Sequence, residues 1–331
     1  MKAICVTPSR ELEVRDVPAP EDAAPNHVVI DMDASTINQG DKAFLKMPNA
    51  AGTAFALGPY PVWGASGAGR VVSIGAGVPE KYLGRNVAIY RSLSRSPDSI
   101  GLWSERAHVP FTACLILPEH RDAREYSGSL VNVMTAYAFL EEIVEAGHKG
   151  VIATAGNAAT AHALATLARK RNLPAILLVR SETARDELHA MGIEHVVVTR
   201  EGFETELNTL ATELNATAVF DGVGGDLLNK VASALPMHST VYIYGFLGGA
   251  TTIGIPTMLL MAKNLTIKRF SNFESRTVKE NAKLIRALDA LEGLIDDPML
   301  TTRLGDTFRY DQIESAMAYE ASHGVKAVLV A

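Results

Sequence analysis

The chain has 331 residues, 47% hydrophobic and 21% charged, with a net charge of -6 at pH 7. This predicts one or two globular domains able to bury a large core, and the acidic balance argues against a general nucleic-acid binder. Cys5 and Cys114 are the only cysteines, too few for a disulfide framework or a four-cysteine zinc site. Both stand in apolar runs and read as buried strand residues. No long apolar region of a signal peptide opens the chain and no apolar stretch reaches membrane-spanning length. A cytoplasmic protein with no membrane or nucleic-acid partner is expected.

Short Val- and Ile-rich strands come first, at Lys2–Thr7, Val28–Met32, Gly69–Ile74 and Asn86–Tyr90, separated by Pro, Gly, Asp and Asn. A helix is predicted over Val131–Glu145, stopped by Gly147. From there strands and helices alternate. The strands are Val151–Ala155, Ala175–Val179, His195–Val198, Ala218–Phe220 and Thr240–Tyr244, and the helices are Ala159–Arg171, Thr183–Met191, Phe203–Leu214 and Asp226–Leu235. Continuously apolar strands between amphipathic helices indicate a parallel sheet covered on both faces. A strand at Leu265–Phe270, a long helix at Val278–Leu291, a segment Tyr310–Tyr319 and a strand Ala327–Val330 close the chain.

The first strand of the alternating region runs into Gly156, Asn157, Ala158, Ala159 and Thr160. There the backbone should turn and open a helix whose free N–H groups face a pyrophosphate. Only one glycine of the usual fingerprint remains, so an ordinary α/β turn is the other reading. The second strand ends at Arg180 and Ser181, with Arg185 one turn on. NAD binders usually carry an acid there, whereas a guanidinium suits a 2′-phosphate. Glu182 stands nearby, and the arginines also read as solvated charges. Two later strands end in glycine clusters, one with Gly222 and Val223, the other with Tyr244, Gly245, Phe246 and Leu247. Glycine lets a backbone approach a flat ligand, or simply makes a tight turn.

Motifs spread along nearly the whole chain carry a family resemblance. They are Asn38 with Asp41, the glycine-rich stretch Pro61–Val78, Gly84-Arg85-Asn86-Val87, Gly101 to Glu105, Thr135-Ala136-Tyr137, Asp221 to Gly225, and Gly324 to Val328. In these the chain resembles the medium-chain dehydrogenase/reductases, in the quinone oxidoreductase and enoyl reductase branch. The resemblance implies an α/β protein with a doubly wound Rossmann domain (124–265) inserted into a GroES-like β-rich domain built from 1–123 and 266–331. It implies NADPH in that Rossmann domain, with Lys326 among its contacts, and an active site in the cleft. It also implies a homodimer or higher oligomer through the Rossmann sheets, with Thr251–Phe270 near the contact.

Metal-dependent members carry a cysteine where this chain has Asn38 and a His-Glu pair where it has Ala65-Ser66, which leaves no tetrahedral zinc set. Without a Lewis acid, the simpler reaction is hydride delivery to a quinone or an α,β-unsaturated carbonyl. Asn38 is the candidate hydrogen-bond donor to substrate or nicotinamide ribose, or else a turn residue. Asp41 reads as a cap for a helix over Lys42–Met47. Thr135 is placed by the resemblance at a helix start beside the nicotinamide, or merely caps that helix. Tyr60 is a candidate proton donor, with solvent as the alternative source. Phe246 and Leu247 pack either on the nicotinamide or in the core. The basic run from Lys263 to Arg276, and Arg91 with Arg95, meet an acidic substrate or form solvated faces. Substrate contacts are expected on the loops Ala50–Tyr60 and Arg91–Ile100. Set against the reductase stands a non-catalytic NADPH-binding redox sensor or structural protein of the same fold.

Overall fold

The computed structural model describes residues 1–46, 58–250, 252–320 and 325–331. Met47, most of the loop expected to contact substrate (50–57), Thr251 and Gly324 lie outside the described residues. The chain folds into two compact units, Met1–Asn132 with Glu280–Ala331, and Val133–Lys279.

In the first unit, β1 (Lys2–Val6) and β2 (Leu12–Asp16) form an antiparallel hairpin. Five more strands follow: β3 (His27–Thr36), β4 (Ser66–Ile74), β5 (Asn86–Tyr90), β6 (Arg106–Pro110) and β7 (Cys114–Ile116). A helix, α1 (Gln39–Lys46), leaves the end of β3. β3 pairs antiparallel with both β4 and β6. Val28, Ile30, Val71, Val87, Ile89, Leu102, Val109 and Cys114 pack as its core. Both cysteines are free and buried.

Helix α2 (Ser129–Glu145) leads into the parallel region, and the division between the units falls within it. The second unit holds β8 (Val151–Ala153), α3 (Ala159–Arg169), β9 (Ala175–Val179), α4 (Glu182–Ala190), β10 (His195–Val198) and α5 (Phe203–Glu213). It continues through β11 (Ala218–Asp221), α6 (Gly225–Ala234), β12 (Thr240–Ile243), α7 (Thr257–Ala262), β13 (Thr266–Arg269) and the short α8 (Arg276–Lys279). All six strands are parallel, in the order β10-β9-β8-β11-β12-β13. Counted within the sheet this is 3-2-1-4-5-6, the doubly wound Rossmann order, which places a ligand crevice where the order reverses between β8 and β11. The strands read as unbroken apolar runs because both faces are covered: Ile152, Ile176, Leu178, Val197, Val219 and Val241 are all in the core.

The chain then returns to the first unit with α9 (Asn281–Glu292), β14 (Leu304–Arg309), α10 (Ile313–Ala318) and β15 (Lys326–Val330). β15 pairs antiparallel with β3 and parallel with β14, completing a seven-stranded sheet. The single long helix expected from Val278 is interrupted, because Glu280 takes extended angles (φ -91°, ψ 103°) and serves as the cap of α9.

An aromatic nucleus holds the parallel unit together. Phe139 is fully buried. It stacks on Phe220 at 4.2 Å and meets Tyr242 and Phe270 edge-on at 5.2 and 5.4 Å. Phe139→Ala opens a cavity among three other rings, and large-to-small changes of this kind cost about 3–5 kcal/mol. Urea unfolding of the variant should show that loss, and a midpoint equal to the wild type would contradict this account of the core.

Candidate active site

In the parallel unit, the crevice end of the sheet is tied by one buried carboxylate. Asp221 closes β11 and is fully buried. Its Oδ1 accepts from Thr154 Oγ1 at 2.7 Å and from Val223 N at 3.3 Å, and its Oδ2 accepts from Gly224 N at 3.0 Å. Thr154 in turn accepts from Gly222 N at 2.9 Å. Burial pushes the Asp221 carboxyl up, while these donors pull it down. The strand ends of β8 and β11 are thereby locked side by side at the point of reversal.

Beyond β8, Ala155 takes a left-handed conformation (φ 52°) and turns the chain. Gly156 N then donates to Leu178 O at 2.8 Å, and a Cβ on Gly156 would lie 2.8 Å from that same oxygen. The chain crosses β9 too closely for a side chain, which is why the one retained fingerprint glycine stands there. Ala158, the N-cap of α3, offers no side-chain acceptor to the first turn, which Ala159 and Thr160 begin. Asn157 is half-buried; its Oδ1 lies 3.1 Å from His162 Nε2 and its Nδ2 donates to Glu187 at 3.5 Å.

At the end of β9, Arg180 is exposed. Ser181 caps α4 by accepting from Ala184 N at 3.2 Å. Arg185 pairs with Glu182 at 2.5 Å and approaches Asp186 at 3.6 Å, while Arg200 takes the other oxygen of Glu182 at 2.8 Å. The two arginines singled out from the sequence therefore have different roles. Arg185 joins Arg200 in neutralising Glu182, and Arg180 has no carboxylate partner among the described residues.

On the other side, Tyr244 stacks on Phe220 at 3.8 Å, and a Cβ at Gly222 would lie 2.7 Å from its hydroxyl. Leu247 N and Gly248 N donate to Gly222 O (2.8 Å) and Val223 O (3.0 Å). These bonds join the loop that carries Gly245 to the end of β11. Phe246 and Leu247 are 59% and 56% exposed, so core packing does not account for them.

Thr135 is corrected. It does not open a helix: α2 begins at Ser129, because the apolar periodicity continues upstream through Leu130, Val133 and Met134. Thr135 therefore sits inside the helix, and its hydroxyl accepts from Asn272 Nδ2 at 3.0 Å.

In the β-rich unit, a polar cluster gathers where the metal-dependent sequences would carry their ligands. The β3–β4 register sets Thr36 opposite Ser66. Asn38 is 8% exposed, and Asp41 and Ser66 are fully buried. Asn38 Nδ2 donates to Asp41 Oδ2 at 2.9 Å and to Ser66 Oγ at 2.8 Å. Ser66 bonds Thr36 Oγ1 at 2.8 Å, and Thr36 donates on to Ser127 O at 3.1 Å. Asn38 Oδ1 accepts from Lys326 Nζ at 2.5 Å, and the same ammonium donates to Gly128 O at 3.2 Å. Both amide N–H groups of Asn38 are thus used within the protein, contrary to their expected use on a substrate or ribose. Asp41 lies in the first turn of α1 rather than ahead of it. It caps by reaching back to Asn38 N at 2.8 Å, and its other oxygen takes Ala65 N at 3.1 Å. Tyr60 is half-buried and packs against Ala3, Cys5, Val17, Val62 and Ile100, outside this hydrogen-bonded cluster. Thr36 and Ser66 went unrecognised as partners because the strand register that joins them is not written in either segment.

The strand order defines a Rossmann-type doubly wound unit, which the chain carries with a β-rich unit. Residues 159–287 match the family model described as zinc-binding dehydrogenase. The chain is 26% identical to the probable quinone oxidoreductase of Leishmania amazonensis over 242 residues, 69% of this chain and 68% of that protein. Two solved structures share the fold across the whole chain. One is a mycobacterial protein in complex with NADPH, with TM-score 0.75, 18% identity and 100% of both chains covered. The other is a mutant form of the enoyl thioester reductase of Candida tropicalis, with TM-score 0.77, 19% identity and 99% of that chain covered. The family model and the quinone oxidoreductase relative agree with the resemblance read from the sequence, and the solved structures share the fold.

Burial raises the Asp41 carboxyl from about 3.8 to about 6, opposed by the N–H groups of Asn38 and Ala65 and by the Lys326 charge. The folded chain then holds this proton more tightly than the unfolded chain. The associated stability is present at low pH and is lost as pH rises through about 6. Urea unfolding from pH 4 to 7 should show the wild type losing stability relative to Asp41→Asn up to about pH 6 and no further. A difference independent of pH would refute the assignment.

Proposed function

We propose that the chain is a cytoplasmic NADPH-dependent reductase that transfers a hydride to a quinone or an α,β-unsaturated carbonyl, an enone or enoyl thioester, without zinc. The observation that carries this reading is the end of β9, where Arg180 is exposed and Glu182, the acid nearest to it in the chain, is already held by Arg185 and Arg200. That arrangement suits a 2′-phosphate. The first turn of α3, from Ala159 and Thr160, would receive the pyrophosphate, with Gly156, Asn157 and Ala158 shaping the approach. Ser181 would assist Arg180, and Gly222, Val223, Tyr244, Gly245, Phe246 and Leu247 would flank the remainder. When bound, NADPH supplies the hydride. Among the described residues no three His, Cys, Asp or Glu side chains converge as metal ligands, and Asn38 and Ser66 fill the positions of the metal-binding members.

Calorimetric titration should show NADPH bound in preference to NADH. Arg180→Ala should weaken NADPH about tenfold and leave NADH unchanged, the lower end of the range for a hydrogen bond to a charged group. Stopped-flow loss of NADPH absorbance with quinones, enones and enoyl thioesters should then reveal turnover. Tight binding with no acceptor reduced would replace the enzyme with a non-catalytic NADPH-binding protein, and no binding at all would remove both.

We further infer a homodimer or higher homo-oligomer through the outer edge of the parallel sheet. β13 ends the strand order, and Met258 and Met261 on α7 are 73% and 70% exposed. Sedimentation should give at least twice the chain mass of 35.4 kDa, and Met258→Asp with Met261→Asp should yield monomer. A monomeric wild type would end this inference.

A further inference from the structure

We propose that the stacked His27–His108 pair is an acid-sensitive latch within the β-rich unit, and that proton uptake by His108 releases the turn at Ala24 and the segment Ser96–Asp98 from the sheet. The inference stands apart from the reductase reading, since it concerns neither a ligand nor the parallel unit.

The β3–β6 register sets His27 opposite Pro110 and Val29 opposite His108. The two histidines therefore stand on one face of the sheet, diagonal to each other. Their rings stack with centroids 4.8 Å apart and planes 19° from parallel, and both side chains are buried. All four ring nitrogens have partners. His27 Nδ1 lies 2.8 Å from Pro25 O, and its Nε2 lies 2.8 Å from Ser96 Oγ. His108 Nδ1 lies 2.7 Å from Asp98 O, and its Nε2 accepts from Ala24 N at 3.0 Å. One pair of rings thus holds two segments that lie outside the sheet.

These partners fix the protons. A backbone carbonyl only accepts and a backbone N–H only donates, so His108 carries its hydrogen on Nδ1 and none on Nε2. A second proton would make Nε2 a donor facing the Ala24 N–H. Flipping the ring offers no escape, because both nitrogens of the cation are donors. The charged ring leaves that N–H without an acceptor, and as it is drawn to water it gives up Asp98 O as well. His27 differs, since its Nε2 faces a hydroxyl, which can give or take a hydrogen. His108 is therefore the member of the pair that acid displaces.

The surrounding charges are few. On β6, Arg106 is bonded to Asp31 of β3 at 2.7 Å. β3 also sets His27 against the ring, and the 95–98 segment brings the exposed Arg95 and Asp98. The turn presents Ala24 and Pro25, with Glu21 and Asp22 exposed ahead of it. Burial, helped by His27, holds His108 below its ordinary value of 6.5, against the pull of Asp98. The closed latch therefore binds fewer protons than the open one. It is secure above 6.5 and weakens as pH falls below that value, by at most about tenfold per pH unit for one linked proton.

Hydrogen–deuterium exchange of the full chain, corrected for the intrinsic pH dependence of exchange, tests this between about pH 7 and about pH 5. Peptides covering 24–27 and 96–100 should open more readily as pH falls, by up to about tenfold per pH unit, while peptides of β8 and β11 should not. His108→Gln, whose amide does not titrate, should remove the pH dependence. Exchange at the imidazole C2 carbon in the wild type, read by mass spectrometry, gives the His108 midpoint without any variant, and it should lie below 6.5. No acceleration, equal acceleration in both units, a pH dependence retained in His108→Gln, or a midpoint at or above 6.5 each overturns the latch.

Discussion

The β-rich unit depends on one buried carboxylate. Asp41 receives the backbone N–H and the side-chain amide of Asn38 on one oxygen and the backbone N–H of Ala65 on the other. Those bonds fix which way the Asn38 amide faces, since its nitrogen must point toward the acid and its oxygen away. Every other polar group follows from that choice. Ser66 must accept from Asn38 and donate to Thr36, Thr36 must donate to Ser127 O, and the amide oxygen, facing away from the acid, accepts from Lys326. A buried network of this kind is stable only if every member is satisfied. Its direction is set from Asp41 outward.

The parallel unit uses the same physics for a different end. Asp221 lies at a strand terminus rather than in a helix, but it too is fully buried and collects backbone N–H groups from the loop that follows it. There the result is a rigid crevice edge rather than an oriented cation. In neither unit does an ion pair on the surface carry the architecture. The Glu182 cluster with Arg185 and Arg200 is solvent-exposed, and such pairs contribute about 0–1 kcal/mol. Its effect is local: Glu182 is neutralised by two arginines at the end of β9, while Arg180 stays exposed.

The sequence showed the parallel sheet clearly, because strands buried on both faces must be unbroken apolar runs, and Ala175–Val179 and His195–Val198 permit little else. It showed the crevice through Gly156, Arg180 and the glycines after β11 and β12, since each marks a strand end. Strands β2, β6 and β14 were not legible, for they mix charged and apolar residues and owe their pairing to partners distant in the chain. The Thr135-Ala136-Tyr137 motif does not mark the helix start, because helix length depends on the apolar spacing that continues before it through Leu130, Val133 and Met134. The polar cluster was half visible. Asn38 and Asp41 share one segment, but Ser66 and Lys326 reach them only through the β3–β4 and β3–β15 registers.

Orientation within the cluster comes from hydrogen bonds between strands, so the cluster is only as ordered as the register beneath it. A one-residue slip of β15 against β3 would turn Lys326 to the opposite face of the sheet and leave Asn38 Oδ1 buried without its donor, a loss of about 1–3 kcal/mol for an unsatisfied buried group. The penalty acts on the pairing itself. The polar cluster therefore opposes misregister of the strands that create it.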